Sequence, residues 1–201
     1  MAEPEFHAGA DEREAVAAAL AGGQAGFTAL MDGHREAVFR MVRGHLGNEA
    51  DALDVTQESF VAAFLALRRY DPARSFRAWI LRIALNKCHD WARRRKVRRF
   101  LAFALPIEEA ADIADEGPDP EQILVSRQSA EHIHAALAAL PDRLKEPLLL
   151  CTLEGLSQDE AATILGISRK AVETRIYRAR RKLSQLLEHP AEGRSRSRVW
   201  K

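Results

Sequence analysis

A chain of 201 residues suffices for one ordinary domain or two small ones, and 47% hydrophobic with 29% charged residues is a globular profile, not a disordered one. Alanine and leucine supply much of the apolar content while aromatics reach only 6%, so an all-α chain is expected and extended sheet is not. The net charge of +1 hides a segregation: six basic residues in the seven of Arg93–Arg99, seven acidic and no basic ones over Glu108–Glu121, and seven basic against one acidic over Arg169–Lys182. Two basic patches around an acidic connector point to two nucleic-acid contacts.

Residues 1–10 read as a loose tail, followed by a short alanine-rich helix from Asp11 to about Ala21 and a break at Gly22–Gly23. A second helix is predicted over Gln24–Leu46, with Phe27, Leu30, Val38 and Val42 as its apolar positions; Gly47–Asn48 closes it, both tolerating the left-handed conformation. The third is predicted over Glu49–Tyr70, with Leu53, Phe60, Phe64 and Leu67 on an inward stripe and Asp51, Asp54 and Glu58 opposite. Asp71–Pro72 stops it, leaving a polar loop over Tyr70–Ser75. A fourth helix, about Phe76–Arg95, turns Phe76, Trp79, Ile80 and Ile83 inward.

Gly117, Pro118 and Pro120 within the acidic stretch mark a flexible linker of roughly twenty residues. The expected organisation is a tail and short helix (1–23), a helical domain (24–99), an acidic linker (100–124), a second helical domain (125–189) and a frayed basic tail (190–201). Helices of the second domain are predicted over Gln122–Leu140, Leu144–Glu154, Gln158–Leu165 and Arg169–Glu188.

Ser157-Gln158-Asp159-Glu160 is a capping box, in which the serine hydroxyl and the glutamate each satisfy a backbone amide at a helix start. The short helix it opens ends at Gly166, and Ser168 caps another two residues later, the layout of a helix-turn-helix. Val172, Ile176, Ala179 and Leu183 form the inward stripe of the second helix. Arg169, Lys170, Glu173 and Thr174 sit at its start, where recognition helices meet base edges; arginine suits guanine and glutamate suits cytosine. Arg178 and Arg181 fit phosphates. The plainer alternative is a helical hairpin with a solvated charged face, but two caps, the glycine turn and the basic face occur together here.

Three blocks, DALDVTQESFVAAF (Asp51–Phe64), FRAWILRIALNKCHDWARRR (Phe76–Arg95) and the segment Leu140–Leu183, resemble in content and order the extracytoplasmic-function (ECF, group IV) sigma factors of RNA polymerase. The resemblance runs from about Gln24 to Leu187. It implies two helical domains, sigma region 2 and sigma region 4, and a role in directing core polymerase to −35/−10 promoters. Asp54, Gln57 and Glu58 match the surface that docks on the β′ clamp helices. Asp71, Arg74 and Ser75 lie in the loop matching the family's −10 specificity loop, which captures a flipped base. Asn86 matches a −10 strand contact, with Lys87 and Asp90 as further candidates, and the basic run Arg93–Arg99 would hold DNA backbone in a salt-sensitive way. The second domain would read the −35 element and touch the β flap. YDPARSFRAWILRIALNK with the following basic stretch and RRFLAFA looks like the sigma factors controlling nickel and cobalt resistance, but no metal response is carried over. Group IV factors are held by anti-sigma factors, often membrane-tethered, and two domains on a flexible linker can clamp together when inactive.

No apolar run approaches the ~20 residues that span a bilayer, and the polar first residues lack a signal-peptide pattern. Cys88 and Cys151 stand far apart without metal-ligand spacing, so a reducing, cytoplasmic setting is expected, at the inner membrane only through an anti-sigma factor. His132 and His134 diverge on a helix, and neither Cys88–His89 nor the Asp51, Asp54, Glu58 series forms a ligand set, so no cofactor and no metal site is expected. No phosphate-binding glycine loop, HExxH or nucleophile elbow points to an enzyme. The alternatives are a helix-turn-helix regulator of response-regulator type, which would need a strand-containing receiver domain, and a sigma mimic that sequesters an anti-sigma factor.

Overall fold

The computed structural model describes residues 10–104 and 121–188, all helical or in short turns with no strand among them. The core of the acidic linker and both chain-end tails lie outside the described residues. The missing strands leave the receiver-domain alternative without support among the described residues.

The first body comprises α1 (Ala10–Leu20), α2 (Gln24–Leu46), α3 (Glu49–Ala66) and α4 (Phe76–Ala104). Ala15, Val16 and Ala19 of α1 are buried, so the short helix belongs to the same bundle and is not an appendage of the tail. Gly26 makes the close approach possible, since a Cβ there would stand 2.6 Å from the Ala15 carbonyl oxygen and the Ala19 nitrogen. An ion pair of 3.0 Å between Glu12 and the buried His34 ties α1 to α2. The boundary of α2 falls where predicted, with Gly47 at φ +79° closing it and the Asn48 side chain accepting from the Asp51 N–H to open α3. Phe27, Leu30, Val38 and Val42 are buried as predicted.

The inward stripe assigned to the third helix is half wrong. Phe60 and Leu67 are buried, but Leu53 and Phe64 are half exposed or more, and the core face is formed by Ala52, Val55, Thr56, Ser59, Phe60 and Ala63. Phe60 apart, the inward residues are small or β-branched, which lets α2 and α4 both pack on α3 and leaves Leu53 and Leu65 outside. The helix also ends early, at Ala66, and tightens into a 3-10 turn over Leu67–Arg69 that delivers Tyr70 to the core. By contrast α4 runs nine residues past the predicted Arg95, to Ala104, and so past the domain end placed at residue 99.

The second body comprises α5 (Glu121–Ala138), α6 (Asp142–Leu148), α7 (Gln158–Leu165) and α8 (Arg169–Glu188). The first of these starts one residue before the expected Gln122 and stops at Ala138, not Leu140. The helix predicted from Leu144 starts at Asp142 and widens after Pro147 into a π turn over Leu149–Leu153. Proline has no N–H for the carbonyl four residues back, and the wider turn restores a ladder in which the Glu154 N–H donates to the Leu149 carbonyl at 3.0 Å. Both helices of the helix-turn-helix match their predicted bounds, and Val172, Ile176 and Ala179 are buried with Leu183 half-buried.

The two bodies touch. Gly44 of α2 faces the π turn, a Cβ there standing 2.8 Å from Leu149 Cδ2, and Gly47 faces Ala138 at 2.6 Å. The Glu154 side chain, fully buried, receives Arg77 Nη2 at 2.8 Å and Arg40 Nη2 at 3.3 Å from α4 and α2. Arg77 also donates to the Glu154 carbonyl at 3.0 Å. Lys145 Nζ donates to the His45 carbonyl at 2.9 Å.

Cys88 has no exposure, and burial pushes its thiol up to about 12; Cys151 is half-buried and burial pushes it up as well. The thiolate is the reactive form. A thiol-reactive chromophore at pH 7.5 should therefore label the native chain slowly and at Cys151 alone, with Cys88 reacting only after denaturant is added; fast labelling of both would contradict this packing.

Candidate nucleic-acid interface

The helix-turn-helix is built as its sequence dictates. Ser157 Oγ accepts from the Glu160 N–H at 3.2 Å while Glu160 Oε2 accepts from the Ser157 N–H at 2.9 Å, completing the capping box. Gly166 turns the chain at φ +64°, and Ser168 Oγ accepts from the Ala171 N–H at 3.2 Å. Burial of Val172, Ile176 and Ala179 fixes the rotation of α8, so Arg169, Lys170, Glu173, Arg178 and Arg181 are exposed and Thr174 half-buried. Two of these groups are restrained before any ligand arrives: Lys170 Nζ pairs with Glu173 at 2.7 Å, holding that carboxyl below its usual range, and Thr174 Oγ1 donates to the Lys170 carbonyl at 2.9 Å. Arg169 leans toward Asp159 of α7 at 3.5 Å.

In the first body the loop 70–75 rests on an aromatic base. Tyr70, Phe76 and Trp79 have ring centroids 5.1 to 5.4 Å apart, and the Tyr70 hydroxyl donates to the Arg74 carbonyl. Trp79 thus packs under the loop, half-buried. Asp71 shapes the turn by accepting from the Ala73 N–H at 3.0 Å and pairing with Arg74 at 3.4 Å. Ser75 caps α4, its Oγ accepting from the Ala78 N–H at 3.3 Å. Between this loop and α1 lies an open cleft of about 450 Å³ bordered by Arg13, Val16, Tyr70, Arg74 and Ser75. The contribution of α1 to that cleft was not legible in the sequence, because the helix carries no polar motif.

Asn86 is exposed on α4, with Lys87 and Asp90 half-buried, and Asp90 pairs with Arg93 one turn on. Arg93, Arg94, Arg95, Lys96 and Arg98 are exposed, and the Arg95 guanidinium stacks 5.0 Å from the Trp91 ring. Glu58 is bound by Arg94 at 3.0 Å, joining the acidic face of α3 to the basic run.

Asp54, Gln57 and Glu58 share their face of α3 with Leu53, Val61 and Leu65, exposed by 50%, 60% and 78%. At about 100° per residue these six positions fall within one broad face of the helix. An exposed apolar strip edged with carboxylates marks a protein contact better than charge alone does. The spacing of Leu53, Gln57, Val61 and Leu65 signals it in the sequence, but apolar spacing of that kind reads equally well as core.

With this geometry in place, comparison with known proteins gives the class. The family model for Sigma-70 region 2 matches residues 30–105 and that for Sigma-70 region 4 matches residues 130–183. The chain belongs to the sigma-70 family of RNA polymerase sigma factors, in its extracytoplasmic-function group, and is an alternative sigma factor. It is 42% identical to the RNA polymerase sigma factor CnrH of Cupriavidus metallidurans over 90% of this chain and 96% of that protein. It is 39% identical to the sigma factor NccH of Alcaligenes xylosoxydans xylosoxydans over 85% of this chain and 91% of that one. The solved structure of CnrH in complex with the cytosolic domain of CnrY superposes with a TM-score of 0.67 at 35% identity, covering 89% of this chain and 97% of that chain.

Proposed function

We propose that the chain grips a promoter at two points while bound to core RNA polymerase. α8 enters the major groove of the −35 element, with Arg169, Lys170, Glu173 and Thr174 toward the bases and Arg178 and Arg181 on phosphates. The observation that carries this is the exposed basic row starting at the N-terminus of a helix whose rotation the buried Val172, Ile176 and Ala179 fix. The cleft beside residues 70–75 takes an unstacked base of the −10 element, with Asp71 and Arg74 as the reading groups and Ser75 holding the loop. Asn86, Lys87 and Asp90 line the strand's path, and the basic run through Arg98 holds its backbone. The apolar and acidic face of α3, with Asp54, Gln57 and Glu58, docks on the β′ clamp helices, and the second body meets the β flap.

Elements named −35 and −10 lie about 25 base pairs apart, roughly 85 Å of B-DNA at about 3.4 Å per pair. A chain whose α2 touches its own α6 cannot span that distance, so the contact between the bodies opens on engagement. The closed arrangement is then the resting one, held in the cytoplasm by an anti-sigma factor, as the solved complex of the relative CnrH with the CnrY cytosolic domain supports. Among the described residues no helix is long and apolar enough to cross a membrane. The chain itself performs no chemistry; promoter opening draws on binding energy.

The expected result for Arg169→Ala with Lys170→Ala is a loss of 10- to 100-fold in discrimination for the −35 sequence, from about 1–3 kcal/mol per good base contact. Affinity for core polymerase should stay within twofold. Quantitative footprinting with core polymerase and promoter variants measures both, and an equal loss in core affinity would assign the second body a different role.

A further inference from the structure

Where the two bodies meet, three donor groups converge that no motif connects: His45 of α2, His89 of α4 and Glu146 of α6. One donor atom from each lies within 4.8 Å of the other two. His89 Nε2 stands 2.6 Å and His45 Nε2 3.7 Å from the same Glu146 oxygen, and the imidazole rings are 5.9 Å apart. His45 is 4% exposed, yet neither of its ring nitrogens has a hydrogen-bond partner. A buried imidazole left so is costly unless something else satisfies it. A fourth donor is close, Asp142 Oδ1 at 3.9 Å from His45 Nε2.

We infer that His45, His89 and Glu146 form a binding site for one divalent transition-metal ion that fastens the second body onto the first. A tetrahedral ion with bonds of about 2.0–2.1 Å sets its ligand atoms roughly 3.3 Å apart. The 3.7 Å pair is near that already, and the 2.6 Å pair opens by a rotation of the half-exposed His89. Two imidazoles and a carboxylate suit zinc, cobalt or nickel, and water or Asp142 completes the shell. The charge agrees, since the Glu146 and Asp142 carboxylates both stand beside the His45 ring. The Lys145 ammonium is already held by the His45 carbonyl at 2.9 Å and by Asp142 Oδ1 at 3.2 Å. Because two ligands come from one body and the third from the other, the ion binds the closed form alone, and binding must shift the chain toward it. Any effect on transcription rests on the sigma-factor reading above, but the site does not.

The test uses the full chain freed of metal by a chelator. Titration with Co2+ should give the intense visible absorption of a four-coordinate ion at one ion per chain, and Zn2+ should displace it. Affinity should fall at least tenfold in His89→Ala and in Glu146→Gln, each checked for unchanged helix content, and remain in His132→Ala. Small-angle scattering of the Arg77→Ala chain should show compaction on adding Zn2+. Absence of the absorption band, or binding that survives both ligand substitutions, would overturn the proposal. So would binding without compaction in an Arg77→Ala chain that is more extended than the parent before Zn2+ is added.

Discussion

Arg77→Ala is expected to shift the equilibrium between closed and open chains by roughly a hundredfold toward open. The Glu154 side chain is fully buried at the junction, and burial pushes its carboxyl above the usual range even with Arg40 and Arg77 pulling the other way. Removing one partner of a buried ion pair costs about 3–5 kcal/mol because a charge is left uncompensated. The low end applies, since Arg40 keeps its 3.3 Å contact and a third of the Arg77 side chain is exposed. That is still a factor of about 100. The buried apolar cluster runs on across the junction, but Val38, Phe76 and Leu81 lie on helices that pack within the first body and Leu150 and Val172 on elements that pack within the second, so the loss should appear as opening and not as unfolding. Small-angle scattering reads the opening, circular dichroism the retained helix. Glu154→Gln should open the chain less, since the amide keeps the shape and one acceptor. An unchanged radius of gyration for Arg77→Ala would mean that the ion pair does not hold the bodies together.

Reversing Asp54 to lysine should weaken core polymerase binding by about a hundredfold, and Leu65→Glu by a similar factor. Like charges brought together at an interface cost several kcal/mol. Asp54 is exposed, whereas Glu58 is already bound by Arg94 at 3.0 Å, so Glu58→Lys should cost core binding less than Asp54→Lys. Leu65 is 78% exposed, and substitution of such a residue ordinarily changes folding stability by about 0.5 kcal/mol or less. A large loss of polymerase affinity with an unchanged melting temperature therefore isolates the docking function of this face. If Leu65→Glu binds core polymerase as the parent does, the apolar strip is not part of the interface.

The helices were legible because their ends carry local chemistry: Gly47 and Asn48 between α2 and α3, the capping box at Ser157, Gly166 and Ser168 around the turn. Rotation about the axis was legible for α8, where apolar residues occur on one stripe only. It was not legible for α3, whose Leu53, Val61 and Leu65 have core-like spacing but face outward. A partner-binding surface and a core follow the same hydrophobic rule, and only packing distinguishes them. The candidate DNA contacts could be named from the resemblance and the charge, but their restraints could not. That Ser75 caps a helix and Lys170 is tied to Glu173 depends on rotamers. Least legible was the junction. Glu154 pairs with residues 77 and 114 positions earlier, and the His45, His89 and Glu146 donors come from three separate helices. No spacing rule reaches that far.

The central capacity of the chain is the selection of promoters by core polymerase. Core enzyme with and without the purified protein, supplied with a library of genomic fragments in a run-off assay, measures it directly. The expected result is a small set of discrete transcripts that require the protein and share paired sequence elements near −35 and −10. Transcripts that are the same with and without it, or none from any fragment, would contradict the account.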